Sequence, residues 1–196
     1  MRDEQVALLP GAVAALLVLG ALAFQYLGHL APCEMCHWQR WPHAAAMLVA
    51  LAALPVWKWD KRMAAVPALA LVAIVALAIT GQWQFWFPVT ILVIALGAVS
   101  YFNPGVRGLA ILGIALVALS GLIGLYQTGM QIGLLPGPAA CTVAHPYIMG
   151  SNAPPPEVSC NAVTWSLFGL SMAAYNALVS LGTAALGTFL LVTKRT

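Results

Sequence analysis

Pro32-Cys33-Glu34-Met35-Cys36-His37-Trp38-Gln39-Arg40-Trp41-Pro42-His43 interrupts a chain that is otherwise largely apolar. Before it, Val6 to Leu27 is broken chiefly by Pro10, Gly11 and Gln25; after it, Pro42 to Trp57 is rich in alanine and leucine. A helix needs roughly 20 apolar residues to cross a bilayer. The polar stretch therefore belongs at a membrane edge, between two spans. The first run is longer than the apolar core of a signal peptide and no small-x-small cleavage site follows it, so it reads as a retained helix.

The rest of the chain repeats this alternation. Apolar runs at residues 6–27, 42–57, 63–80, 85–102, 108–127 and 165–192 predict a polytopic all-α membrane bundle of six spans, forming a single integral domain over residues 1–196. The third and fourth runs, joined by Gly81, Gln82, Trp83 and Gln84, predict a tight membrane hairpin. Residues 128–164 are rich in proline, lack apolar continuity and form one long extramembrane loop. Small residues four apart, Ser120 with Gly124 and Ala173 with Ala177, suit close helix contacts.

Composition agrees. Hydrophobic residues make up 62% of the 196 and charged residues 7%, against about 25% charged in soluble domains. The net charge of +3 is too small to suggest a nucleic-acid partner, but its distribution is informative. Six crossings place Arg2, Lys58, Lys61, Arg62, Arg107, Lys194 and Arg195 on one side and leave Arg40 alone on the other. Because cytoplasmic loops carry the Lys and Arg excess, both termini are expected inside. Cys33, Cys36, Cys141 and Cys160 then share the outer face, which in a bacterium is the oxidising periplasm.

Paired cysteines at C-x-x-C spacing bring two sulfurs close, and nearby positive charge lowers a thiol pKa. Arg40 is such a charge, four residues beyond Cys36. Plainer readings exist: a structural short-loop disulfide, a zinc site with the distant pair, or a loop staple joining Cys141 to Cys160. Four cysteines permit three pairings. Pro42 leaves the geometry open, since proline favours a first helical turn and is costly deeper inside. A helix starting at Pro42 leaves Arg40 just ahead of it; one starting near Cys36 puts Cys36 and Arg40 on one face.

The motif P-C-x-x-C-x-x-Q-R beside a spanning helix resembles the DsbB family of disulfide bond formation proteins. The stretches GLYQTGMQIGLLPGPAAC and CNAVTWSLFGLSMAAYNAL extend the likeness to most of the chain outside the hairpin. The extra apolar material of residues 63–102 departs from the usual four-span core of that family. The resemblance implies a quinone-dependent protein thiol oxidoreductase of the bacterial inner membrane. Such an enzyme reoxidises a periplasmic, DsbA-like thioredoxin-fold partner and passes the electrons to a membrane quinone, ubiquinone or menaquinone.

By the same resemblance Cys141 forms the mixed disulfide with the partner and Cys160 is its resolving neighbour. Cys33 then exchanges with the loop pair, Cys36 faces the quinone, and Arg40 stabilises negative charge there. No metal is expected. Two competing readings are a membrane thiol oxidoreductase resembling the vitamin K epoxide reductase group and a non-catalytic scaffold with structural disulfides. His29, His37, His43 and His145 are expected at interfaces or in loops, without a role, and the chemistry of Gln39, Gln127 and Thr128 is unassigned. The tryptophans are expected in interfacial belts, with Trp38 or Trp41 also able to flank a ring.

Overall fold

The computed structural model describes residues 3–53, 106–138, 141 and 158–193. Among these residues four helices pack together: α1 (Asp3–Tyr26), α2 (Glu34–Ala52), α3 (Val106–Gln131) and α4 (Met172–Thr193). A two-stranded ribbon, β1 (Ser166–Leu167) and β2 (Leu170–Ser171), precedes α4. The spans expected at 63–80 and 85–102, the end of 42–57, and most of the charged residues used for orientation lie outside the described residues.

Three of the helices are long and apolar enough to cross a membrane, over Gln5–Tyr26, Val106–Gln131 and Met172–Thr193. α2 carries Glu34, His37, Gln39, Arg40 and His43 in its first three turns and is more polar for that reason. The architecture is that of an all-α membrane protein. Leu16, Leu19, Leu122, Leu125, Leu178 and Phe189 are exposed, as apolar side chains facing lipid would be.

Small residues set the closest approaches. Gly121 and Gly124 of α3 sit against α4, and a Cβ at Gly124 would lie 2.9 Å from the Ala173 carbonyl oxygen. Ser120, Ala173 and Ala177 are all buried, so the four-residue spacing seen in the sequence marks the α3–α4 contact. At Gly11 a Cβ would collide with the Ala50 Cβ and stand 3.1 Å from the Ala46 carbonyl, so α1 touches α2 backbone to backbone. Gly11→Ala is expected to destabilise the bundle by about 1–3 kcal/mol through overpacking. Gly20→Ala, with nothing within 4 Å of its added Cβ, is the control and should be neutral or slightly stabilising. Unfolding of the two variants in detergent measures the difference.

Helix ends depart from the expected spans. α2 begins at Glu34, with Cys33 as its N-cap, so Pro42 lies inside the helix and the later start at Pro42 is excluded. α3 runs to Gln131, taking the first residues assigned to the 128–164 loop. The last span begins at Met172 instead of residue 165. There the Ser171 Oγ accepts the Ala174 N–H at 3.2 Å, an N-cap that satisfies an orphan helix donor. Residues 166–171 form a hairpin in which Ser166 pairs with Ser171 and Leu167 with Leu170. Phe168 and Gly169, at φ 49° and 79°, form its two-residue turn, the left-handed pair that matches strand twist. Ser171 Oγ also donates to Gln131 Oε1 at 2.6 Å, tying the end of α3 to the start of α4.

Candidate functional site

The N-terminus of α2 carries the first pair of sulfurs. Cys33 is extended, at φ −90° and ψ 167°, and its sulfur accepts the Cys36 N–H at 3.2 Å. Both cysteines are free thiols. Cys33 is 5% exposed and holds its proton more tightly than an ordinary thiol. Its hydrogen bond with the Cys36 side chain is the main cause, burial the next, and negative charge on Cys36 the third. Of the two thiols, Cys33 is therefore the one that stays protonated.

The second pair is a disulfide between Cys141 and Cys160, with a Cα separation of 5.2 Å. Main-chain bonds hold it: Cys160 N–H donates to Cys141 O at 2.9 Å, and Cys141 N–H to Pro138 O at 2.9 Å. Ser159 Oγ adds a bond to Cys141 O at 3.1 Å. Cys33, Cys141 and Cys160 pack with Met35 and Met130 in one buried cluster, against which Cys36 also rests. Two segments more than 100 residues apart in the chain thus bring their four sulfurs into one cluster, a thiol pair beside a disulfide.

A ladder of buried side-chain amides runs beneath this cluster. Gln127 Nε2 donates to Cys33 Sγ at 3.2 Å and to Cys160 O at 3.3 Å, and lies 4.0 Å from Cys36 Sγ. Gln127 Oε1 accepts from Gln39 Nε2 at 2.5 Å, and Gln39 Oε1 accepts from Asn176 Nδ2 at 2.8 Å. Asn176 Oδ1 accepts from Ser180 at 3.0 Å. His43 is 2% exposed, between Gln39 O at 2.9 Å and Ser180 Oγ at 3.2 Å. The expectation that His43 lies at an interface is overturned: it is part of the bundle interior. Unpaired polar groups are costly in such surroundings, and each of these side chains has at least one polar partner.

Beside the ladder a cavity of about 400 Å³ opens between α1, α2 and α4, a size suited to a small ligand. Cys33, Cys36, Gln39, Arg40 and His43 line one wall, and leucines of α1 another. Trp165 lines it between Phe24, with ring centroids 4.8 Å apart, and Tyr175, at 6.2 Å. Trp38 and Trp41 are exposed and do not line it. Among the described residues, the Phe, Trp and Tyr rings that line the cavity are Phe24, Trp165 and Tyr175.

Arg40 is held by Gln25, whose Oε1 accepts from Nη1 at 2.6 Å. Its Nε is buried and has no hydrogen-bond partner, alone in this among the buried side-chain polar atoms of the described residues. Arg40 lines the cavity, and a guanidinium beside apolar walls fits a flat apolar ligand that presents an accepting oxygen. Among the described residues no group of His, Cys, Asp and Glu is placed to hold a metal ion.

Cys33, Cys36, Cys141, Cys160 and Arg40 thus fall in one neighbourhood. Sequence reasoning left Gln127, Gln39, Asn176 and Ser180 without roles. The available signal was polarity inside apolar helices, since such residues are expensive in a membrane and face a bundle interior or a cavity. A family model described as disulfide bond formation protein DsbB matches residues 3–89 and 82–190. No curated protein and no solved structure matches the chain.

Proposed function

This chain belongs to the DsbB family of disulfide bond formation proteins, and from that membership we propose that it is an inner-membrane oxidase that regenerates the disulfide of a periplasmic, DsbA-like thiol oxidant and delivers the electrons to a membrane quinone. The observation that carries the reading is the common cluster of the free Cys33 and Cys36 and the Cys141–Cys160 disulfide beside an apolar cavity. A stapling role alone leaves two free thiols packed against a disulfide without purpose.

Thiol exchange proceeds by thiolate attack on a disulfide sulfur. A partner thiolate attacks Cys141, and Cys160 leaves. The partner's second thiol then displaces Cys141 and departs oxidised, leaving two electrons in the loop pair. Exchange between the loop pair and a Cys33–Cys36 disulfide moves those electrons to the helical pair. That product, a loop disulfide beside a helical dithiol, has the pairing of the structure described above.

A bound quinone supplies the two-electron acceptor for the helical dithiol. Cys36 and Arg40 would hold it, with Phe24, Trp165 and Tyr175 lining the same cavity. Termini in the cytoplasm and the cysteines on the outer side complete the proposed topology, with residues 63–102 as an added hairpin in one six-span domain.

The test uses the purified full chain, a reduced thioredoxin-fold partner and a soluble quinone analogue. Quinone loss should match partner oxidation one to one. Cys160→Ser, given the oxidised partner, is expected to accumulate a mixed disulfide, because the Cys141 thiolate attacks the partner disulfide, the partner's second sulfur leaves as a thiol, and no loop cysteine remains to resolve the bond; non-reducing electrophoresis and peptide mapping detect it. Attachment at Cys33 would overturn the order of the two pairs, and absence of quinone loss would overturn the activity.

A further inference from the structure

Gln127 touches both halves of the sulfur relay, and the steps above leave it unused. Its Nε2 donates to Cys33 Sγ at 3.2 Å and to the Cys160 carbonyl at 3.3 Å. An amide can present either end, so what matters is which end faces the sulfur. The ladder sets this. The Cys160 carbonyl can only accept, so the Gln127 nitrogen faces it; the Gln127 oxygen then needs a donor, which is Gln39 Nε2 at 2.5 Å. Gln39 can turn its nitrogen that way because its oxygen is matched by Asn176 Nδ2 at 2.8 Å. Gln127 is 2% exposed and Gln39 8%, so water cannot easily substitute for either bond.

We infer that the Gln127 carboxamide is a catalytic hydrogen-bond donor to the Cys33 sulfur during exchange with the loop pair, and that Gln39 is the positioning residue that aims it. The inference rests on the relay proposed above. In the first step the Cys160 thiolate attacks Cys33; the Cys160–Cys33 bond forms, the Cys33–Cys36 bond breaks, and the electron pair leaves on Cys36. In the second, the Cys141 thiolate attacks Cys160; the Cys141–Cys160 bond forms and Cys33 departs as the thiolate. Negative charge develops on Cys33 in that second step, inside a site where burial and a neighbouring Cys36 both oppose it. In the product of that step, a loop disulfide beside the free Cys33, the Gln127 N–H points at the atom on which the charge is left, where a donor favours the charged form. Its bond to the Cys160 main chain holds the loop against the same sulfur.

The experiment is single-turnover exchange in the full chain without quinone. The helical pair is first oxidised, one equivalent of reduced thioredoxin-fold partner is added, and acid-quenched samples are scored for free Cys33 and Cys36. Gln127→Met, which keeps the length and removes the donor, should slow the appearance of these thiols by about tenfold to a hundredfold. Gln39→Met leaves Gln127 in place but unaimed and should slow it less. As a readout that loss of packing alone would not move, iodoacetamide labelling of Cys33 is followed against pH in a Cys36→Ser background. Gln127→Met should shift that profile to higher pH, because the lost donor favours the thiolate. Gln39→Met should shift it the same way, which keeps the inference testable if Gln127→Met does not fold. Exchange within twofold of the parent chain, or slowing with an unmoved profile, overturns the role of Gln127 while leaving the relay intact. Failure of the parent chain itself to pass electrons to Cys33 and Cys36 overturns both.

Discussion

Cys36→Ser should reduce quinone-dependent turnover by at least about a thousandfold, the scale reached when one member of a covalent unit is removed. The loop disulfide remains able to oxidise a partner, so the expected trace has a burst of one partner disulfide per chain and then stops. Electrons are stranded in Cys141 and Cys160 because Cys33 has no second sulfur to displace. Serine is close to cysteine in size, and the site rests on the α2 N-terminus and the Gln127 contacts, which do not need a sulfur at this position. Unfolding should therefore be nearly unchanged. Multiple turnovers in this variant would mean that the helical pair is not the route to quinone.

Arg40→Met is expected to have the next largest effect, seen mainly in the quinone KM. Arg40 lines the cavity, and a hydrogen bond from a charged group contributes roughly 1.5–3 kcal/mol. Loss of that bond corresponds to a KM higher by about tenfold to a hundredfold. Arg40→Lys keeps the charge but has no planar fork with which to bond Gln25 and a ligand together, so it should recover only part of the loss. Partner trapping at Cys141 in a Cys160→Ser background should be unaffected by either change. Equal KM values for the parent and Arg40→Met would remove Arg40 from the quinone site.

Much of this was legible in the chain. The apolar runs announced spanning helices, and the C-x-x-C beside Arg40 announced sulfur chemistry at a membrane edge. The helix ends were less legible, since hydropathy reports what suits a bilayer and not where backbone bonding stops. Trp165 to Ser171 is apolar enough to extend a span, yet the turn at Phe168–Gly169 and the Ser171 cap make it a hairpin. Pro42 has the opposite lesson: it looked able to start a helix, but Cys33 caps α2 more than two turns earlier. His43 was misread for a related reason. A histidine near a span end is ordinarily wet, but here α4 brings Ser180 to its Nε2.

Composition and spacing by themselves determined a membrane-embedded helical chain with two separated pairs of cysteines, because burial preference and residue spacing along a helix are local properties. Only the packing of the helices decided that Gln127, Gln39 and Asn176 line up beneath the sulfurs and that Arg40 lines the cavity beside them. Those matches join residues 39, 127 and 176, and hydrogen-bond direction between distant amides depends on how helices meet, which no single stretch of sequence encodes.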